Sequence, residues 1–425
     1  MTEEFLYYLW SYYFSGKKLF TCQNEALQIV HPGYRNEDSG PDFFDARVRI
    51  ANTLWAGNIE IHVKASDWLK HHHQNDLAYD SIILHVVYEA DKPIHRKSGA
   101  TIPTLELKGK FDENLFRQYQ GFVLSDHWIA CKNDIGRVNH FILRNWMSRL
   151  AVERLEQKAL AIKQNLAHAH SDFIEVFYIQ LMRSFGFKTN SEAFEQLAHS
   201  LPFSILAKHK NNLNQIEALI FGQAGFFHSH FNDNYPNQLK DEYEFLANKY
   251  NLTPLQPFIW KFMRMRPSNF PTIRMAQFAQ LIYRSTGLIH KILEAQRIDD
   301  VIDLFNTAAS SYWKNHYRFD LPSPPSSKKL GKSSITLILI NTIIPFLFVY
   351  ADTKQDTELK DKALSWLSQL PAENNTIIRH FKEFSVNPQN ALHSQALIQL
   401  KKHYCDQKRC LHCAIGHQIL KPDQH

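Results

Sequence analysis

The run Gly57-Asn58-Ile59-Glu60-Ile61-His62-Val63-Lys64 alternates β-branched and ionisable side chains without a break from Ile59 onward. Successive side chains of a strand point to opposite faces. The run therefore predicts a strand with Glu60, His62 and Lys64 on one face and Ile59, Ile61 and Val63 on the other. The apolar face must meet a core. The other face lines up a carboxylate, an imidazole and an ammonium, which is more chemistry than a purely structural strand needs.

Upstream, Gly40-Pro41-Asp42 marks a corner before a second probable strand, Phe43 to Ile50, and Ala51-Asn52-Thr53 is short enough to join the two as an antiparallel hairpin. Folding it brings Asp42 opposite Glu60, to within about one residue pair. Two carboxylates so placed can hold a divalent cation, while Lys64 or His62 orients a water or stabilises developing charge. Strand parity raises an alternative. Matching the apolar face that carries Phe44, Ala46, Val48 and Ile50 to that of Ile59 and Ile61 puts Asp45 on the Glu60 side. Asp42 reaches it only if the Pro41 corner or a bulge shifts the register.

Further histidines follow at His71, His72, His73 and His85. On a helix spanning Ser66 to Tyr79, His72 and Asp76 would share a face. With His62 they would suit zinc, iron or nickel better than magnesium.

The chain has 425 residues, enough for two to three domains, and its composition of 44% hydrophobic and 21% charged residues is that of a folded protein. A formal charge of +6 permits a nucleic-acid partner without demanding one. The acidic start, Met1-Thr2-Glu3-Glu4, is unlike a secretory signal. The apolar run from Ile335 to Ala351 carries Thr336, Asn341, Thr342 and Pro345 and is shorter than the ~20 residues of a membrane span. It predicts a buried helix, with no membrane association. The free-thiol pattern fits a reducing, cytoplasmic setting.

The pattern changes near residue 135. Strand-like runs, flanked by helices at Glu3 to Phe14 and Ser66 to Tyr79, occupy the region before it, and helical spacing dominates after Val138. The expected fold is α+β, an N-terminal mixed β-sheet flanked by helices followed by a mostly α-helical C-terminal region. Boundaries are placed at 1–135, 136–320 and 321–425, because Leu321 to Ser334 is rich in proline and serine. Within the helical part Arg264, Arg266 and Arg274 bracket a proline-rich turn and are candidate phosphate contacts. Near the end, Cys405, Cys410 and Cys413 have a C-x4-C-x2-C spacing. With His417 or His412 as fourth ligand they would bind Zn²⁺. An iron–sulfur cluster would need Cys22 or Cys131 to fold back.

The order helix, strands, Pro41-Asp42 corner, Glu60 strand, helix and strand resembles the PD-(D/E)XK nuclease superfamily. That resemblance implies a metal-dependent nuclease, with Asp42 and Glu60 holding Mg²⁺ or Mn²⁺, and Glu4 or Glu25 as accessory acid. The family's lysine position falls on His62, and the nearest lysine is Lys64, so His62 and Lys64 complete the expected catalytic set. Substrates would be DNA or RNA. A catalytically degenerate module that binds nucleic acid or protein, and a histidine-rich metallohydrolase, are the alternatives. Over almost its whole length the chain also resembles an uncharacterised bacterial family, the domain of unknown function numbered 2851. That likeness rests on Ser39-Gly40-Pro41-Asp42-Phe43, Gly57 to His62, Ser66-Asp67-Trp68, Ile83 to Val87, Phe221-Gly222-Gln223-Ala224-Gly225, Arg266 to Pro271 and the terminal cysteines. It implies no activity.

Overall fold

A computed structural model describes residues 1–36, 38–168, 172–227 and 230–420. The chain forms two compact units. One is Met1–Trp146 together with Lys401–His425, and the other is Met147–Leu400.

The first unit is built on a seven-stranded sheet with β1 (Leu19–Phe20), β2 (Ala26–His31), β3 (Tyr34–Arg35), β4 (Phe43–Ile50), β5 (Thr53–Lys64), β6 (Ile82–Glu89) and β7 (Thr104–Glu106). The spatial order is β1-β2-β4-β5-β6-β7, with β3 also on β4. The β4–β5 hairpin is antiparallel, whereas β5–β6 and β6–β7 are parallel. A parallel pair needs a crossover. Residues 65–81 supply the one between β5 and β6.

The expected alternation along β5 is observed, and both faces are covered. Ile59 and Ile61 join Phe5, Leu6 and Leu9 of the N-terminal helical segment and Leu84, Val86 and Leu105 in one core. Each such fully buried side chain contributes about 1.5–3 kcal/mol relative to exposure. Glu60 and His62, at 4% and 2% exposure, lie under the crossover, whose Trp68 and Tyr79 pack with Ile82 and Val87.

The hairpin resolves the parity question. Arg47↔Ala56, Val48↔Trp55 and Arg49↔Leu54 keep the odd register that matches the apolar faces, but it shifts by one before Phe43↔Ile59. Asp45 takes φ +52 at this irregularity. A left-handed residue that offsets one strand is a β-bulge, and aspartate tolerates that conformation better than most side chains. The bulge turns Asp42 to Glu60 and leaves Asp45 exposed.

The crossover is not the continuous helix expected over Ser66 to Tyr79. The N-terminal helix α1 (Glu3–Tyr8) continues as a π-turn to Tyr13, whereas α2 (Asp67–Lys70) stops after one turn and is followed by two 3₁₀ turns. The stretch His71-His72-His73-Gln74-Asn75 carries no apolar residue to pin a helix face, and His72 adopts φ +61.

The second unit is helical, with long helices at Phe173–Phe185, Phe187–Ser200, Asn234–Tyr250, Pro271–Arg284 and Thr357–Gln369 around buried Phe185, Phe194, Phe221, Phe278, Trp313 and Trp366. The fold is thus α+β, with an N-terminal mixed sheet and a mostly helical remainder. In the Phe221-Gly222-Gln223 motif, a Cβ on Gly222 would stand 2.0 Å from the Tyr243 ring, and Gln223 bonds the carbonyls of Ser200 and Thr253. That motif is helix-packing chemistry.

Neither expected boundary coincides with the division into units. The segment Leu321 to Ser334 is stitched into the second unit by Gln277 and Ala309 donating to the Lys328 carbonyl (2.9 and 3.2 Å) and by Leu330 N–H on Thr307 (2.9 Å). The C-terminal segment returns to the first unit, where Leu411 and Leu420 enter the sheet core. Among the described residues one helix, Lys332–Lys354, is long and apolar enough to cross a membrane, and 72% of its apolar window is buried inside the protein.

Candidate metal centre

Asp42 is fixed from three directions. Its Oδ1 accepts the Tyr7 hydroxyl at 2.8 Å, its Oδ2 accepts the Ile61 N–H at 2.8 Å, and its own N–H donates to Glu60 Oε2 at 3.2 Å. Tyr7 comes from α1, Ile61 and Glu60 from β5, and Asp42 from the strand head beyond the bulge. The other Glu60 oxygen, Oε1, lies 3.2 Å from His73 Nε2 and 3.5 Å from His62 Nε2.

The imidazoles form a cluster of their own. His62 Nδ1 is 2.9 Å from His85 Nε2, and His62 Nε2 is 3.1 Å from His71 Nδ1. Ligand atoms of His62, His71 and His73 all lie within 4.8 Å of one another. The left-handed turn at His72 makes this possible, because it returns His71 and His73 to the same side; His71 and His72 are exposed and His73 is half-buried. The ring of His73 stacks on Tyr79 at 3.8 Å, and Trp68 packs edge-on against His73 and His85 at 5.4 and 5.3 Å.

Burial sets the protonation states. It holds His62 neutral, with its pKa down to about 2, and the neighbouring His85, His73 and His71 push in the same direction. His85, almost wholly enclosed, falls to about 3 for the same reason, and His73 is lowered as well. Asp42 and Glu60 move the opposite way. Desolvation raises both, and the charge of Asp42 raises Glu60 further. Two buried acids that repel each other share a proton at neutral pH.

Neutral imidazoles beside a desolvated carboxylate fit a divalent transition metal. A cation would replace the hydrogen that His71 shares with His62 and would remove the penalty on Glu60. His62, His71, His73 and Glu60 would be its ligands, with Asp42 adjacent. His85 can accept the Nδ1–H of His62 and so direct its Nε2 to the metal.

The structure thus brings together Asp42, Glu60 and His62 of the residues expected from sequence. Lys64 does not join them. Its side chain is exposed and lies 3.9 Å from Glu89, one parallel partner further along β5–β6. Neither expected accessory acid is at the site: Glu4 is clasped by Arg35 at 2.8 and 3.0 Å, and Glu25 is exposed. Glu3, a residue earlier on α1, instead senses Asp42, His71 and His73, and burial raises its pKa. The His72/Asp76 pairing gives way to His71 and His73, and Asp76 caps a 3₁₀ turn by accepting from Ala78 N–H at 2.9 Å.

In the second unit Arg264 and Arg266 are exposed, whereas Arg274 is 5% exposed. Its guanidinium is engaged by Asn269, Gln277 and Ser334 and stacks on Phe187, so it cannot reach a phosphate backbone. His417, expected as a fourth ligand beside the cysteines, has its Nε2 bonded to the Leu411 carbonyl and its ring packed on Tyr8 and Tyr12 at 5.2 and 4.4 Å.

Fold and site together define an α+β protein with a partly buried carboxylate–histidine cluster of metal-ligating chemistry. The chain belongs to the family described as "Protein of unknown function (DUF2851)", whose model matches residues 3–376. No curated protein and no solved structure matches it.

Proposed function

We propose that this protein is a metal-dependent hydrolase acting on phosphodiester bonds, as in a nuclease. The observation that carries the reading is the cluster of His62, His71 and His73, two of which, His62 and His73, also reach Glu60, with Asp42 turned to the same place by the bulge. A bound metal would polarise a phosphoryl oxygen and acidify a water at neutral pH. Asp42, oriented by Tyr7 and Ile61, takes the proton of the attacking water once the shared proton has left the acid pair. Glu60 and the three imidazoles hold position, and His85 fixes the tautomer of His62. With His62 where the nuclease superfamily has lysine, and Lys64 on Glu89, manganese, zinc or iron suits the donor set better than magnesium.

Two features favour an anionic substrate. The chain carries a net charge of +6. A polar cavity of about 640 Å³ borders Tyr7, and its lining carries Arg35, Lys408 and Arg409 against Glu4 and Asp38, a small excess of positive charge.

The test is hydrolysis of a simple phosphodiester and of single- and double-stranded DNA and RNA with Mn²⁺, Zn²⁺, Mg²⁺ or chelator. Cleavage that needs Mn²⁺ or Zn²⁺ and drops at least about 100-fold in both Glu60→Gln and His73→Ala is expected. Folded, metal-loaded protein that cleaves none of these substrates would instead identify a binding module.

A further inference from the structure

Four of the five cysteines belong to one neighbourhood of the first unit. Cys131 lies in the turn after α3 (Glu113–Leu124), where its carbonyl accepts the N–H of Asp134 and Ile135 at 3.0 and 2.9 Å. Cys405, Cys410 and Cys413 come from the returning C-terminal segment. Two lysines tie these segments together: the Lys401 ammonium is 4.8 Å from the Trp128 ring centre, and Lys408 donates to the Ser125 carbonyl. Cys131 and Cys410 pack against the same apolar cluster, which includes Leu411 and Leu420. The thiols also sense one another, Cys405 responding to Cys413, Cys131 and Cys410, and Cys131 to Cys413 and Cys410. None is in a disulfide.

Among the described residues, no three of these thiols lie within 4.8 Å of one another, so a single zinc ion would draw them closer, whereas an iron–sulfur cluster spans wider-spaced sulfurs. Cys413, 7% exposed, sits in a turn where burial pushes its thiol up to about 11 and the N–H groups of Ile415 and Gly416 act on its sulfur against that shift. Such donors delocalise thiolate charge and orient the sulfur. Gly416 is required for this turn, because a Cβ there would stand 2.1 Å from the Cys410 carbonyl oxygen. Burial pushes the Cys405 and Cys410 thiols up, and Lys401 and Lys408 act in the other direction by placing positive charge nearby. The nearby histidines are engaged elsewhere, His417 on Leu411 and His412 on Glu4.

We infer that Cys131, Cys405, Cys410 and Cys413 form a four-thiolate site for a thiophilic metal centre, a zinc ion or an iron–sulfur cluster. Four thiols gathered in one neighbourhood, one buried and three half-buried, with none in a disulfide, suit a shared metal centre. Binding breaks the four S–H bonds, forms four metal–sulfur bonds and releases the protons to solvent, and a cluster additionally takes iron and inorganic sulfide from solution. The centre staples the C-terminal segment to the sheet unit and is independent of the chemistry proposed at Glu60.

The test is zinc, iron and acid-labile sulfide content of the full chain purified without oxygen, in a Glu60→Gln/His73→Ala background that disables the histidine cluster. Zinc alone, or iron with matching sulfide, is expected. Cys131→Ser and Cys405→Ser should each lose the metal, and His417→Ala should keep it. If the serine variants do not fold, alkylation of the unsubstituted chain decides: Cys22, which is exposed, should react at once, and the other four only after a chelator strips the metal. Metal-free protein whose four thiols react alike with and without chelator would overturn the site. So would metal retained by Cys131→Ser and lost by His417→Ala.

Discussion

Manganese binding at the Glu60 cluster should release about one proton per ion, and that proton should come from the acid pair. Burial keeps His62, His85 and His73 neutral, so these rings have no extra proton to lose. Asp42 and Glu60 are both raised by desolvation, and the charge of Asp42 raises Glu60 further, so the pair shares one proton until a cation displaces it. The linked equilibrium weakens binding tenfold, or about 1.4 kcal/mol, for each pH unit of acidification while the pair stays singly protonated. Manganese is the ion of choice because it accepts carboxylate and imidazole and has little affinity for thiolates. Calorimetric titration near about pH 8, well above the free imidazole value, in buffers of different ionisation enthalpy counts the protons directly. Glu60→Gln should bring the count near zero and flatten the pH dependence. No proton released by the unsubstituted protein, or two or more, would refute the assigned protonation states.

Other consequences follow from the same geometry. His85→Leu removes the acceptor of the His62 Nδ1–H and should weaken manganese binding about 10–100-fold, measured by chelator competition, with the far-ultraviolet dichroism unchanged. Metal-free protein should lose stability on acidification. His62 and His85 have depressed pKa values, so their contribution is complete above about 6.5 and declines as pH falls towards their folded values, by about 1.4 kcal/mol per unit for each ring. The raised acid pair acts oppositely, its contribution being full below the ordinary carboxylate range and lost as pH rises. Between about pH 4.5 and 6.5 the proton on the pair offsets one ring's share of this loss, so Glu60→Gln should show a steeper slope than the unsubstituted protein in urea unfolding. An equal slope would remove the shared proton from the account. Lys64→Ala breaks an exposed ion pair with Glu89 and should cost no more than about 1 kcal/mol in urea unfolding and leave manganese affinity unchanged. A large fall in affinity would return the lysine to the site.

What could be read in the sequence follows the periodicities that burial imposes. The β4–β5 hairpin and the two faces of β5 were legible because Ile59 and Ile61 need a core and Glu60 and His62 alternate with them. The bulge was hidden by Phe43-Phe44, adjacent apolar residues that suit either register, of which Phe43 is buried and Phe44 exposed. His71 and His73 were misassigned because a local helix was assumed where no apolar stripe supports one. The only sequence signal was that absence. Lys64 has the right parity but sits a full strand step beyond the acids, and parity alone says nothing of depth under the crossover. Cys131 and Glu3 became neighbours of their sites through the tertiary return of distant segments, which local spacing cannot encode.

The central claim is that His62, His71, His73 and Glu60 hold one metal ion beside Asp42. Anomalous diffraction from crystals grown with manganese tests it most directly. A single strong peak within bonding distance of Glu60 and the three imidazoles, with His85 still on His62 Nδ1, is the predicted result. A fully occupied peak elsewhere, with the His62–His71 and His73–Glu60 contacts unchanged, would contradict it.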